Sequence, residues 1–211
     1  MFKHAYPLAL VLALAGSLMG QEAAKVEPPA TAPAAAAPAA PAATFIKTDE
    51  KTAGSWKGVY GADGTIITAD AEHAPKYAKV TVGPTDSYTW ADSTDDVKGL
   101  QKSAADAKDR VAACWDHSAA FDIDIDLTDG AEHQVAVYCM DWDGFSRQET
   151  IEVQNAATGA KLDSQDVKDF AGGKYLVWKL QGHVKLHVTN TGPVNGVVSG
   201  FLFDPAPKPA K

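Results

Sequence analysis

The stretch Phe121-Asp122-Ile123-Asp124-Ile125-Asp126-Leu127 decides the fold class. Apolar and acidic residues alternate strictly along it, and a side-chain period of two belongs to an extended strand with one buried and one wet face. Val184, Leu186 and Val188 alternate with Lys185, His187 and Thr189 in the same way. Working outward, further strands are predicted near 110–116, 133–142, 148–154, 161–167, 174–180 and 196–203, with shorter ones near 65–68, 79–82 and 87–91. Turn signals fall between them: Thr128-Asp129-Gly130, Thr158-Gly159, Gly172-Gly173 and Thr191-Gly192-Pro193. Only Val97 to Lys108, with Leu100, Ala104 and Ala105, has a pattern that suits a short helix. The expected fold is therefore all-β, a two-sheet antiparallel β-sandwich of jelly-roll type with at most one short helix.

These strands occupy only part of the 211 residues. Residues 1–20 begin with Lys3 and His4 and continue through Leu8, Leu10, Val11, Leu12, Leu14 and Leu18 without further charge, the pattern of a signal peptide. The apolar run is too short to cross a bilayer as a helix, so no transmembrane segment is expected after cleavage, and the chain is expected to be secreted or periplasmic. Residues 21–43 are rich in Ala, with Pro28, Pro29, Pro33, Pro38 and Pro41, and read as a disordered, semi-rigid linker. Residues 205–211 repeat that character as a tail. The expected domain is 44–204, which holds all five tryptophans. The net charge of −8, less the two tail lysines Lys208 and Lys211, leaves −10 on this domain, because residues 1–43 are neutral. An acidic body with no cluster of Lys and Arg excludes a partner held by phosphate contacts, so no nucleic-acid role is expected.

Strong catalytic signatures are absent from the sequence. It contains no G-x-S-x-G nucleophile elbow, no H-E-x-x-H zinc motif, no phosphate loop and no dinucleotide glycine fingerprint, and the expectation is a protein without catalysis, cofactor or metal. Asp122, Asp124 and Asp126 do not form a calcium loop: counted from Asp122, the sixth position is Leu127 rather than Gly and the twelfth is His133 rather than Glu. The six histidines do not cluster; His183 and His187 share one side of a strand, which is short of a ligand set. Cys114 and Cys139 both lie inside apolar strands and are expected as buried thiols rather than a disulfide.

Aromatic residues are the remaining lead, because sugar receptors pair flat rings with fixed polar groups. Trp178 keeps phase with Leu176 and Leu180 and belongs to the core. Tyr88 and Trp90 share one strand face and are also assigned there. Trp56 and Tyr60 flank Gly58 and Gly61 in a turn-rich stretch, where core and site readings both stand. Strand parity narrows the choice. If successive strands are antiparallel, the connections at 117–118, 143–147, 171–173 and 190–195 gather at one end of the sandwich, opposite those near Asp129, Thr158 and Gly182. That first end carries Trp115, Asp116, His117, Asp141, Trp142, Asp143 and Arg147, a mixture of rings and fixed charges on loops, and these seven are the candidate ligand-binding residues. The competing reading is that Trp115 and Trp142 cap the core while the charges solubilise the end.

The runs Trp56-Lys57-Gly58-Val59-Tyr60-Gly61-Ala62-Asp63-Gly64, Tyr88-Thr89-Trp90-Ala91, Arg110-Val111-Ala112-Ala113-Cys114-Trp115, Asp141-Trp142-Asp143 and Tyr175-Leu176-Val177-Trp178 through Gly182-His183-Val184 resemble an exported bacterial β-sandwich module of the galactose-binding-like and malectin-like jelly rolls. The resemblance spans nearly all of 44–204 and implies an accessory or cell-surface module. It brings no ligand residues with it. The expected function is non-catalytic binding of a carbohydrate or another cell-surface ligand; the alternative is a protein–protein or envelope-structural module.

Overall fold

The structure, a computed structural model, describes residues 40–206. The expected signal peptide, most of the linker and the end of the tail lie outside the described residues. Within them the chain is all-β and antiparallel, as the alternation predicts. Fourteen strands run in order: β1 Ala42–Asp49, β2 Gly64–Ile67, β3 Ala78–Val82, β4 Asp86–Thr94, β5 Leu100–Gln101, β6 Arg110–His117, β7 Ala120–Leu127, β8 Glu132–Cys139, β9 Glu149–Asn155, β10 Lys161–Val167, β11 Lys174–Gln181, β12 His183–Asn190, β13 Gly196–Val198 and β14 Gly200–Pro205. No helix is present among the described residues. Val97–Lys108 instead makes turns and the two-residue β5, because Leu100 docks into the interior and pairs with Val111. None of the described helices is long and apolar enough to cross a membrane, since there are none.

Two five-stranded sheets pack face to face, β1-β11-β8-β14-β2 and β10-β9-β12-β7-β3. The alternating strands supply the second of these. Phe121, Ile123, Ile125 and Leu127 of β7 and Val184, Leu186 and Val188 of β12 point into the main core, where they meet Val135, Val137, Leu176, Trp178, Phe201 and Phe203 of the first sheet. On the wet face, His187 pairs with Asp122 at 2.6 Å and His183 with Asp124 at 2.8 Å, so these histidines serve the surface of the sheet.

The first sheet has no wet face over most of its length. Its other side, with Ala136, Tyr138, Tyr175, Val177 and Leu202, is covered by a third layer that the sequence reading did not foresee. This layer consists of Trp56 and Tyr60, Leu100 of β5, Val111–Ala113 of β6, and the small sheet β13-β6-β4. Trp56 and Tyr60, left open above, are thus core residues: Trp56 Nε1 donates to Gln101 O at 2.7 Å, and the Tyr60 hydroxyl donates to Asp49 at 2.7 Å. Tyr60, Tyr175 and Tyr138 stack in series, with ring centroids 4.8 and 4.5 Å apart. The first strand begins at Ala42 and pairs with β11 from Gln181 onward, and the last reaches Pro205, each slightly beyond the expected domain limits.

One contact fixes the far side of this layer. Gly173 has φ of +85°, and a Cβ there would run into the Tyr138 ring, whose hydroxyl is held by Lys98 O at 2.6 Å. Gly159 has a similar φ of +71° but open space around it. We predict that Gly173→Ala lowers stability by about 2–4 kcal/mol, from overpacking and backbone strain together, while Gly159→Ala loses only about 1 kcal/mol from the backbone. Equilibrium denaturation of the two variants checks this, and equal losses would show that the Tyr138 contact is not limiting.

Candidate functional site

The four connections grouped by strand parity do meet at one end. Asn190 Nδ2 donates to Ser118 O at 2.8 Å, Thr191 N to Gln148 O at 2.9 Å, and Asp141 N to Phe170 O at 3.1 Å, which stitches the loops to one another. Past the end of β8 the side chains keep alternating. Asp141 and Asp143 project to one side, where both grip Arg147, and Trp142 projects to the other.

Arg147 is the hub. It is only 4% exposed, and its Nη1 donates to Asp141 at 2.5 Å and to Asp143, its Nη2 to Asp143 at 3.3 Å, and its Nε to Asn195 at 2.7 Å. Asn195 Nδ2 in turn donates to Asp116 at 2.7 Å. Asp141 also accepts from the backbone N–H groups of Phe145 and Arg147, both at 3.3 Å, and so holds the loop that bends through Gly144 and Ser146 at φ +71° and +58°. Burial by itself would raise the Asp143 carboxyl, but the hydrogen bonds and charge of Arg147 outweigh it and lower its pKa. Burial would likewise lower Arg147, and its two aspartates raise it instead.

Over this network lies the edge strand β4. Trp90 Nε1 donates to Asp143 at 3.2 Å, and the Arg147 guanidinium carbon lies 5.5 Å from the Trp90 ring centroid and 5.7 Å from that of Phe145. Tyr88 meets Trp90 edge-on, with centroids 5.8 Å apart, and is 58% exposed. Tyr88, Trp90, Asp116, Asp143, Arg147 and Asn195 enclose a cavity of about 210 Å³ above Cys114. That is below the roughly 300–1,000 Å³ of drug-sized ligand pockets.

Of the seven expected residues, Asp116, Asp143 and Arg147 line this cavity, and Asp141 holds Arg147 from beneath. The other three do structural work. Trp115 stacks on Phe201 at 5.8 Å against the main core. Trp142 packs on the second core cluster with Lys98 Nζ 4.5 Å from its ring centroid, so the two rings belong to different clusters. His117 Nδ1 accepts from the N–H groups of Ala119 and Ala120, both at 3.1 Å, and fixes the β6–β7 turn. The residues missed are Tyr88, Trp90, Asn195 and Phe145. A signal was present: Asp86–Thr94 is the one long strand among the described residues with aromatic rings and no Ile, Val or Leu.

Beneath the cavity lies a dry polar pocket. Glu149, at the start of β9, is buried; its Oε2 accepts from Val197 N at 2.6 Å, while Oε1 has no conventional partner and the Cys139 thiol beside it is a weak one. Burial pushes the Glu149 carboxyl up from 4.5 to about 7. Cys114 and Cys139 are free and buried, and desolvation raises both thiols well above their ordinary value.

No family profile and no curated protein matches the chain. A solved structure similar to it is TmCBM61, a carbohydrate-binding module, in complex with β-1,4-galactotriose; the likeness covers 74% of this chain and 96% of that one, at 11% identity and a TM-score of 0.33. No site residue is transferred from it.

Two predictions follow from the buried groups. Folded Glu149 keeps its proton up to about pH 7, whereas the unfolded chain releases it near 4.5, so this residue makes stability fall as pH rises through that window, by up to about 3 kcal/mol. Glu149→Gln should flatten the pH dependence of unfolding free energy between those limits, and an unchanged slope would assign it to other groups. The native protein should resist thiol reagents, and two thiols should titrate once it is denatured under non-reducing conditions; fewer than two would mean that the pair is oxidised.

Proposed function

We propose that the domain is an exported, non-catalytic binding module that holds a carbohydrate in the cavity under Tyr88 and Trp90. The observation that carries this reading is a tyrosine ring left more than half exposed beside a tryptophan, directly over a rigid set of carboxylate, amide and guanidinium groups. An exposed ring offers its face to the C–H face of a sugar, and the fixed polar groups at its base address the hydroxyl edge. Their geometry is set before any ligand arrives, because Arg147 and Asp141 are buried and each member of the network is held by another, and preorganisation reduces the ordering cost of binding. The lowered pKa of Asp143 keeps its carboxylate ionised, which suits a charge-assisted hydrogen-bond acceptor for a sugar hydroxyl. One ring pair and a few hydrogen bonds, offset by ordering costs, give affinities on the order of 10 µM to 1 mM.

The test is a glycan array followed by calorimetry on the whole chain. Tyr88→Ala should weaken binding by about tenfold or more with little change in stability, since the side chain is exposed. Trp142→Ala should do the reverse, lowering stability while the protein that remains folded binds normally. Loss of binding in folded Trp142→Ala, with Tyr88→Ala unaffected, would move the site to the other side of the loop.

A further inference from the structure

The distribution of donors and acceptors around the Tyr88–Trp90 cavity narrows the chemistry of its ligand. Arg147 is the only cation among the described residues that line it, and four of its five N–H donors are committed. Its Nε, Nη1 and Nη2 all donate to Asn195, Asp141 or Asp143, and it is almost wholly buried. Asn195 is largely spent as well, its Oδ1 on Arg147 and its Nδ2 on Asp116. What remains open is acceptor capacity. Asp116 engages Asn195 through Oδ1 alone, which leaves its Oδ2 free, and Asp143 beside it keeps a lone pair only on Oδ1, since its Oδ2 already accepts from Arg147 and Trp90. Asp86, exposed on β4, stands directly opposite Asp116 in the β4–β6 ladder. Like charges facing each other across a ladder are destabilising. Among the described residues neither Asp86 nor Asp116 has a cation within ion-pair distance, although eleven other carboxylates do.

Resting on the site proposed above, we infer that the cavity takes a non-anionic glycan whose contacting edge offers hydrogen-bond donors, and that it rejects uronates and sulfated or phosphorylated sugars. A sugar hydroxyl or an amino-sugar ammonium donates to Asp116 and Asp143 without needing a cation from the protein. An anionic sugar would bring its charge beside two or three carboxylates while the one guanidinium nearby is already neutralised. That is discrimination by repulsion, which separates ligands of the same shape.

The experiment is calorimetric titration of the whole chain with neutral β-galactan and β-glucan oligosaccharides, chitosan oligosaccharides and oligogalacturonate, at low and high salt. Binding of neutral or amino-sugar ligands about tenfold or more tighter than oligogalacturonate is the expected result. The salt series identifies the donor, because an ammonium contact weakens as salt rises and a hydroxyl contact does not. The double variant Asp86→Asn and Asp116→Asn should narrow the gap against oligogalacturonate several-fold. Oligogalacturonate binding as tight as that of the neutral ligands, and lost in Tyr88→Ala, overturns the charge inference while keeping the site. Binding of none of these ligands removes the site reading and this inference with it.

Discussion

The first sheet is covered on both faces, and the rest of the molecule is arranged around that burial. Val135, Ala136, Val137, Tyr138 and Cys139 are successive residues of β8, and each is fully buried although they alternate between two cores. A strand in this position cannot tolerate a polar residue on either side without a partner, and it cannot end in solvent without a device that closes both cores at once. At the end of β8 that device is Asp141-Trp142-Asp143. The aspartates turn toward Arg147 and close one side; the tryptophan turns the other way and closes the second. The candidate site is therefore built on the plug of the central sheet, which explains why its polar groups are rigid.

The sequence discloses strands most clearly where one face stays wet. In β7 and β12 the acidic, basic and histidine residues mark every second position, so the period is visible and the core face follows from it. In β8, β11 and β14 the same period is hidden, because both faces are apolar: Tyr175-Leu176-Val177-Trp178 reads as a strand but gives no sign of which neighbours it has. The third layer was lost for that reason. Its pieces, Trp56, Tyr60 and Leu100, come from turn-rich segments with no period of their own, and their burial is decided by an uncovered sheet face far away in sequence. The helix-like spacing of Leu100, Ala104 and Ala105 fails on the same ground, since pairing Leu100 with Val111 buries more than an isolated turn of helix offers.

Parity grouped the four connections that do meet at one end of the sandwich because it depends only on antiparallel order. It could not choose among the rings at that end. Trp115 and Trp142 looked like binding residues because they flank charges, yet each borders one of the two cores and finds apolar surface there. Tyr88 looked like core because it shares a strand face with Trp90, and Trp90 does pack against both clusters. Their strand is the edge of the small sheet, however, and Tyr88 has no layer above it. Whether a ring is buried is set by what covers the strand and not by the alternation within it.

Arg147 and its aspartates show what such a network contributes. Removing the guanidinium and the Asp141 carboxylate from water costs several kcal/mol per ion, and the attraction between them commonly does little more than offset that, so the network adds little net stability. Replacing all its members with apolar residues is, on those energetics, near neutral for the fold, whereas deleting one partner leaves the others buried and unpaired. Stability therefore does not account for a carboxylate–guanidinium–amide chain running from Asp141 to Asp116, nor for a second aspartate set opposite Asp116 at a cost. A chain of this kind does hold Asp143 and Asp116 in set positions beside an exposed ring, with Asp116 Oδ2 left open. Under the binding role proposed above, local cost accepted for fixed geometry is what the site requires, and it puts as much weight on the polar floor as on the ring above it.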